Sequence, residues 1–262
     1  MAQYYFVGTF LPELTFESPP EISFAELEEL FRDNLSKKDL EKIFYIRRFY
    51  DILNVRALWN EEELDPKGDL SAIELNEAIE GRVGLPSYVY EFIDKYEKKA
   101  DRLHHFPFLL ATFFKNASFL KDRFLKSYFR FERELRLVLT AFRAKKLGRD
   151  LSVELQYENP EEELIGQILA AQDAKTYEPP EKYADLKVIF EKNGDNPLAL
   201  QKALDAYRFE FIEKLVDMSD VFSNDRMIAY FFQFLLIEKW FQLDHAEGIK
   251  IITRVAKNES IA

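Results

Sequence analysis

The residues best suited to chemistry in this sequence are its three histidines, His104, His105 and His245. Asp101 and His104 stand at positions i and i+3, which places a carboxylate and an imidazole on one helix face. A carboxylate-bridged metal centre in a helical bundle needs a second such pair on another helix, and the sequence has none. A metalloenzyme using Asp101, His104 and His105 is therefore one hypothesis, and surface or helix-end histidines are the simpler interpretation.

Other catalytic signatures are missing. The eight glycines are scattered and form neither a P-loop nor a dinucleotide-binding fingerprint. The chain has no cysteine, which excludes disulfides, thiolate nucleophiles and thiolate metal ligands. The acidic runs WNEEELD and ENPEEEL lack the ligand spacing and central glycine of a calcium loop, so they are solvated loops or a binding surface. We predict a non-enzymatic protein without catalytic, cofactor-binding or metal-binding residues.

Three polar residues interrupt an otherwise apolar helix between Phe49 and Trp59: Asp51, Asn54 and Arg56. Asp51 and Asn54 are three residues apart and share one side of the helix. We expect both to be partly buried and hydrogen-bonded to a neighbouring helix, because buried polar groups need partners. They are candidate structural or interface residues, with Arg56 beside them.

The segment KDRFLKSYFRFERELR carries a stripe of basic residues in an acidic protein. This stripe is either a solvated helix face or a docking surface for an acidic protein, as in a cytoplasmic helical adaptor. Its candidate interface residues are Lys121, Arg123, Arg130, Arg133 and Arg136.

The elements that position these residues are predicted to be helices, and the fold class to be all-α. Ser23 followed by Glu26 is a capping box that opens a helix, and a second helix spans about 36–59. A short helix covers SAIELNEAIE, and residues 106–146 form either two helices broken near 116–118 or one long bent helix. The last two helices cover 197–219 and 225–255. The aromatic start, YYFVGTF, is predicted to be a short strand or an extended segment.

We predict one elongated helical domain over 1–262, with lobes 1–146 and 181–262 and a polar excursion at 147–180. Two segments, FYDILNVRALW near 49–59 and FERELRLVLTAFRAKK at 131–146, each end a long helix and are each followed by an acidic loop, a short helix, a proline break and another helix. This order has two explanations: an internal duplication, or the helix-loop-helix order common to helical bundles.

Net charge and hydropathy indicate which partners and which cell compartment are expected. The formal charge of −11 repels phosphate backbones, so nucleic acid is not an expected partner. The start has no basic and apolar signal region, and the longest apolar run, residues 228–237, is far shorter than the roughly 20 residues of a membrane helix. These features favour a cytoplasmic protein without a transmembrane segment.

Three segments carry a family resemblance: YYFVGTFLPEL, RRFYDILNVRALW and DRMIAYFFQFLLIEKWFQLDHAEGIKII. Together they resemble a bacterial family, formerly of unknown function, that is linked to V-type (V/A-type) ATP synthases and considered equivalent to their C-subunit, which is called the d-subunit in the eukaryotic enzyme. The C-subunit pattern is an acidic residue, then asparagine, a hydrophobic residue and a basic residue on a long helix. Asp51, Asn54, Val55 and Arg56 match it, whereas a looser second copy, Glu134, Leu137 and Val138, lacks the asparagine.

The resemblance implies an all-helical, non-catalytic socket without a cofactor. Such a protein sits on the membrane rotor ring, receives the foot of the central shaft and passes torque to the catalytic head. Its partners are the shaft subunits and the rotor ring, and it is peripheral to the inner membrane through that ring. The archaeal C-subunit has three related helical repeats, of which this sequence matches at most two and part of a third.

Overall fold

The computed structural model describes residues 4–16, 18–216 and 220–259, with side chains up to residue 241. Within these residues the fold is all-α, as predicted, with thirteen α-helices, one short 3-10 helix at Glu181–Tyr183 and no β-strand. The helices are α1 (Tyr5–Phe10), α2 (Phe24–Asn34), α3 (Lys37–Asn60), α4 (Ala72–Gly81), α5 (Ser87–Lys95), α6 (Lys99–His104), α7 (Phe106–Ala117), α8 (Arg123–Leu147), α9 (Leu151–Glu154), α10 (Glu163–Ala170), α11 (Ala184–Asn193), α12 (Pro197–Val216) and α13 (Asn224–Glu259).

Helix boundaries that depend on local signals agree with the structure. The Ser23 hydroxyl accepts the backbone N–H of Glu26, and the Glu26 carboxylate accepts the backbone N–H of Ser23, which completes the predicted capping box of α2. The helix predicted at 36–59 is α3, and the break near 116–118 separates α7 from α8. The last two predicted helices are α12 and α13, although the predicted end at 219 lies outside the described residues.

The prediction of a strand or extended segment at YYFVGTF is wrong, because this segment forms α1. Val7 is buried, and the backbone N–H of Tyr4 donates to the carbonyl of Phe222 at 2.8 Å. Gly8 permits this approach, since a Cβ there would lie 2.7 Å from the Phe222 ring. A helix satisfies its backbone groups within the segment, whereas a strand needs a partner strand, so helix formation is favoured here despite the β propensity of the aromatic residues.

The chain divides into two compact units. Unit 1 combines the N-terminal segment up to Ile43 with the C-terminal segment from Asp195, and unit 2 comprises Phe44–Gly194. The predicted lobes have other bounds, and the predicted polar excursion at 147–180 lies within unit 2, where it contains α9 and α10.

Each unit has an aromatic core of its own. In unit 1, Phe31 of α2 lies 6.1 Å from Phe231 of α13 between ring centroids. In unit 2, Phe113 of α7 lies 4.9 Å from Phe49 of α3 and 5.2 Å from Phe129 of α8. Buried aromatic rings remove large apolar areas from water, so these contacts fix the helices that carry the polar motif.

Among the described residues, no helix is long and apolar enough to cross a membrane. The apolar run at 228–237 instead forms part of α13, and most of its side chains are buried in unit 1.

Candidate functional site

The motif residue Asp51 is buried in α3, with 3% of its surface exposed. Its Oδ1 atom accepts hydrogen bonds from the backbone N–H groups of Asp69 at 2.7 Å and Leu70 at 3.0 Å. Both amides belong to the loop that precedes α4. The predicted burial is present, but the predicted partner, a neighbouring helix, is wrong.

Asn54 lies one helical turn later and is 1% exposed. Its side-chain nitrogen donates to the carbonyl of Asp65 at 2.9 Å, and its side-chain oxygen accepts the backbone N–H of the same residue at 2.8 Å. Because donor and acceptor of one amide bind a single residue, the side chain and the loop fix each other's orientation.

Arg47 and Lys67 complete this arrangement. The Arg47 guanidinium donates to the carbonyl of Gly68 at 2.7 Å and lies 3.2 Å from the Asp69 carboxylate. The Lys67 ammonium donates to the Asp65 carboxylate at 2.9 Å and is 2% exposed. We call Arg47, Asp51 and Asn54, together with loop residues 65–70, the α3 loop clamp.

Gly68 is the point of closest approach within the α3 loop clamp. A Cβ atom at this position would lie 2.6 Å from both the Asn54 side-chain nitrogen and Asp51 Oδ1. These distances are shorter than van der Waals contact, so the loop reaches the two side chains only because residue 68 has no side chain.

The electrostatics of Asp51 indicate a structural acceptor. Burial raises the pKa of the Asp51 carboxyl, and the N–H groups of Leu70 and Asp69 oppose this shift by favouring the charged form. Since its Oδ1 atom is occupied by two backbone donors, Asp51 holds the chain's own loop. The third polar residue of the motif, Arg56, is exposed, and its guanidinium lies 5.6 Å from the centre of the Phe106 ring.

The looser second copy of the motif also holds a later segment. In α8, the Glu134 carboxylate accepts hydrogen bonds from Arg130 at 2.9 Å, from Lys182 at 2.6 Å and from the Tyr183 hydroxyl. Tyr183 directly precedes α11, and Leu70 lies two residues before the start of α4. Asp51 and Glu134 thus each bind the segment that leads into a later helix, although the donors are backbone amides in one case and side chains in the other.

We expect Glu134→Gln to lower the free energy of unfolding by about 1 kcal/mol at neutral pH. Burial acts to raise the pKa of Glu134, but hydrogen bonds from Lys182, Tyr183 and Arg130 outweigh burial and lower it below its usual value of 4.5. A carboxyl with a lowered pKa stabilises the fold above the unfolded-state pKa, and this contribution is lost as pH falls through the folded-state pKa.

Urea titrations at several pH values measure this effect. The difference in the free energy of unfolding between wild type and Glu134→Gln should be constant near neutral pH and shrink below about pH 4.5. Glu191→Gln is the control, because the side chain of Glu191 is 64% exposed and its nearest cation, on Lys187, is 3.8 Å away. If Glu134→Gln still lowers the free energy of unfolding by the same amount at low pH, the ionised Glu134 carboxylate is not the source of the stabilisation.

Two half-buried arginines of the predicted basic stripe bind carboxylates of the same chain. The Arg133 guanidinium contacts Glu158 at 2.5 Å and Glu162 at 2.7 Å, which fastens the α9–α10 connection to α8. Arg136 contacts Glu132 at 2.9 Å on its own helix. Both arginines therefore stabilise unit 2 internally.

Lys121 and Arg123 lie at the start of α8 and are exposed. Arg133 and Arg136 are half-buried and bound to carboxylates, and Arg130 binds Glu134 although its side chain is 76% exposed. Lys121 and Arg123 are therefore the part of the stripe that best fits a docking role. The structure therefore divides the predicted stripe into an internal part and an exposed part.

His104 and His105 belong to an aromatic cluster. His105 stacks on Tyr96 with ring centroids 4.3 Å apart, contacts His104 edge-on at 4.7 Å and hydrogen-bonds through Nδ1 to the Tyr157 hydroxyl. Where side chains are described, no three His, Cys, Asp or Glu residues are grouped so that they could hold a metal ion. His245 lies in the part of α13 whose side chains are not described.

A comparison with protein-family models matches residues 1–259 to the family described as "Protein of unknown function (DUF2764)". The chain belongs to the DUF2764 family.

Relatives of this DUF2764 chain occur in Chlamydia. An uncharacterized protein of Chlamydia pneumoniae is 31% identical over 219 residues, covering 81% of this chain and 82% of the relative. An uncharacterized protein of Chlamydia trachomatis serovar D is 28% identical, with 82% and 83% covered. One of Chlamydia muridarum is 26% identical, with 98% of both chains covered. No solved structure matches the chain.

Sequence reasoning about this DUF2764 protein identified Asp51 and Asn54 but missed three members of their site. Arg47 and Lys67 read as ordinary surface cations, and Gly68 reads as a loop glycine. One feature of the sequence could have indicated the site. Gly68 stands in a polar loop soon after a helix with polar residues at otherwise apolar positions, and such a glycine often marks a close approach of two backbone segments.

Proposed function

We propose that this chain is a non-catalytic central-stalk linker of a V-type ATP synthase or ATPase. In this role it connects the membrane rotor ring to the central shaft and transmits torque during proton or sodium transport. The proposal rests first on the resemblance of three segments to the C-subunit-like family. It is also supported by the all-helical fold and by the hydrogen bonds through which the shared motif holds the chain's own loop.

The observation that carries the proposal is the α3 loop clamp. The acidic and amide side chains of the motif bind the chain's own backbone at 2.7–3.0 Å and are almost completely buried. Breaking a buried hydrogen bond to a charged or amide group costs on the order of 1–3 kcal/mol. A motif that resists deformation in this way suits a part that passes force between other subunits.

This role places the protein in the cytoplasm and at the inner membrane, through the rotor ring and without a membrane segment of its own. Its partners are the central shaft subunits and the ring, and it needs no cofactor and no nucleic acid.

Affinity purification from the native host tests the proposal. A tagged chain expressed at its native level and recovered from mildly solubilised membranes should bring down shaft and ring subunits, identified by mass spectrometry. The tag alone, and a tagged Gly68→Ala variant beside Gly81→Ala, serve as controls. Recovery of neither shaft nor ring by the folded wild-type chain would overturn the proposal.

A cytoplasmic adaptor for an acidic protein is the second candidate, supported by the exposure of Lys121 and Arg123. Charge reversal at these two positions should abolish partner recovery if the adaptor hypothesis holds. Unchanged recovery with Lys121→Glu and Arg123→Glu would count against it.

A further inference from the structure

Unit 1 contains a surface groove bordered by α1 and α2, with a volume of 520 Å³. We call it the α1–α2 groove. It lies outside the α3 loop clamp and shares no residue with it. Its apolar lining consists of Phe6, Phe10, Pro12, Ile22 and Leu30.

Two large aromatic side chains stand open to solvent at this groove. Phe6 and Phe10 are 61% and 58% exposed, and their rings stack with centroids 6.0 Å apart. They occupy positions i and i+4, so they lie on one face of α1. Contiguous exposed aromatic surface of this kind is typical of binding sites.

The exposure of these rings follows from the way α1 is anchored. Val7, which adjoins the two rings on the helix surface, is 1% exposed, and the Tyr4 hydroxyl donates to the Asp39 carboxylate at 2.5 Å. Gly8 lies against Phe222 with no room for a Cβ. Because these contacts hold one face of α1 against unit 1, Phe6 and Phe10 beside that face project outward.

The edge of the groove is acidic. Among the described residues that line it, four are carboxylates and none is Lys, Arg or His. All four lie at exposed positions, and Glu26 is also bonded to Ser23 in the capping box of α2. The four carboxylates are Glu21, Glu26, Glu29 and Asp33.

Charge complementarity selects among the possible occupants. In a symmetric dimer the same patch meets itself, so a second copy would bring four carboxylates against four carboxylates. An anionic lipid surface attracts basic segments and repels this edge. A partner with an apolar stripe flanked by Lys or Arg matches both the rings and the carboxylates.

We propose that the α1–α2 groove binds an amphipathic, basic helix of a partner protein. Apolar side chains of that helix, spaced at i, i+3 or i+4 and i+7, pack on Phe6, Phe10 and Leu30. Its Lys or Arg side chains pair with Glu29 and Asp33 at the edge. This inference does not depend on the proposed stalk function.

A synthetic peptide of about 18 residues, with leucine on one helical face and lysine beside it, is a suitable probe. Fluorescence anisotropy with the full chain should show saturable binding that weakens as salt rises. A scrambled peptide of the same composition, and a peptide with glutamate in place of lysine, should each bind about tenfold or more weakly. Equal binding of the scrambled peptide would overturn the proposal.

Variants locate the binding. Phe6→Ala with Phe10→Ala, and Glu29→Lys with Asp33→Lys, should each weaken the leucine–lysine peptide about tenfold or more. Phe119→Ala and Glu77→Lys are the matched controls, because both residues are exposed in unit 2. Circular dichroism verifies that each variant folds. Unchanged affinity of the folded groove variants would overturn the proposal.

Two further measurements test the excluded occupants. Sedimentation of the wild-type chain should show no self-association that Phe6→Ala with Phe10→Ala abolishes. Flotation with vesicles containing phosphatidylserine should show no binding that depends on the same residues. A positive result in either measurement would assign the groove to a second copy or to a membrane and overturn the proposal.

Discussion

Replacing Asp51 by alanine should lower the free energy of unfolding by about 3 kcal/mol. The change leaves the backbone N–H groups of Asp69 and Leu70 without the acceptor that binds them at 2.7 and 3.0 Å. Each unsatisfied buried donor costs roughly 1–3 kcal/mol, and Asp51 itself is 3% exposed. Equilibrium urea unfolding followed by circular dichroism measures the loss.

Asp51→Asn is the matched variant because it keeps a side-chain oxygen in the same place and removes the charge. Burial raises the pKa of Asp51, so the charge itself contributes little and the loss should be about 1 kcal/mol or less. Asp94→Ala, at a side chain that is 65% exposed, controls for the removal of a surface carboxylate. If Asp51→Asn is as harmful as Asp51→Ala, the charge and not the acceptor geometry holds the loop.

Replacing Gly68 by alanine should lower the free energy of unfolding by about 2 kcal/mol. The added methyl group would lie 2.6 Å from Asp51 Oδ1 and from the Asn54 side-chain nitrogen. Neither side chain can retreat without breaking its own hydrogen bonds, so the loop must move away from α3.

Gly81→Ala is the control for this substitution, because a Cβ at Gly81 meets nothing within 4 Å. Alanine is favoured over glycine in helices, so this control should leave stability unchanged or raise it by up to about 1 kcal/mol. The losses from Gly68→Ala and Asp51→Ala should not add, because the two residues are in contact. Additive losses would show that the clash and the hydrogen bonds act independently.

The local part of this fold could be predicted from sequence and the non-local part could not. Ser23 and Glu26 are three residues apart, so their capping box is visible in the sequence and correct in the structure. Asp51 binds amides 18 and 19 residues further along the chain. A pattern can therefore show that Asp51 needs a partner without showing which segment supplies it.

The same limit explains the other differences between sequence and structure. Arg133 reads as part of a surface stripe because its partners, Glu158 and Glu162, come 25 and 29 residues later. The segment that forms α1 has strand-forming residues, but the described residues contain no strand to pair with it, so its backbone groups are satisfied within a helix. In both cases the residues near the segment do not show what the rest of the fold offers it.

The composition of unit 1 from two separate stretches has a consequence for biosynthesis. Its N-terminal stretch ends at Ile43, and its C-terminal stretch begins at Asp195, so all of Phe44–Gly194 is translated between them. Phe24 and Phe31 pack on Phe231, which the ribosome adds 200 residues after Phe31. Unit 2 is continuous and can fold on emergence, since domains generally fold as units during synthesis. The nascent chain must therefore carry the aromatic face of α2 without its α13 partner until Phe231 has been translated, and this interval gives chaperones an opportunity to bind it.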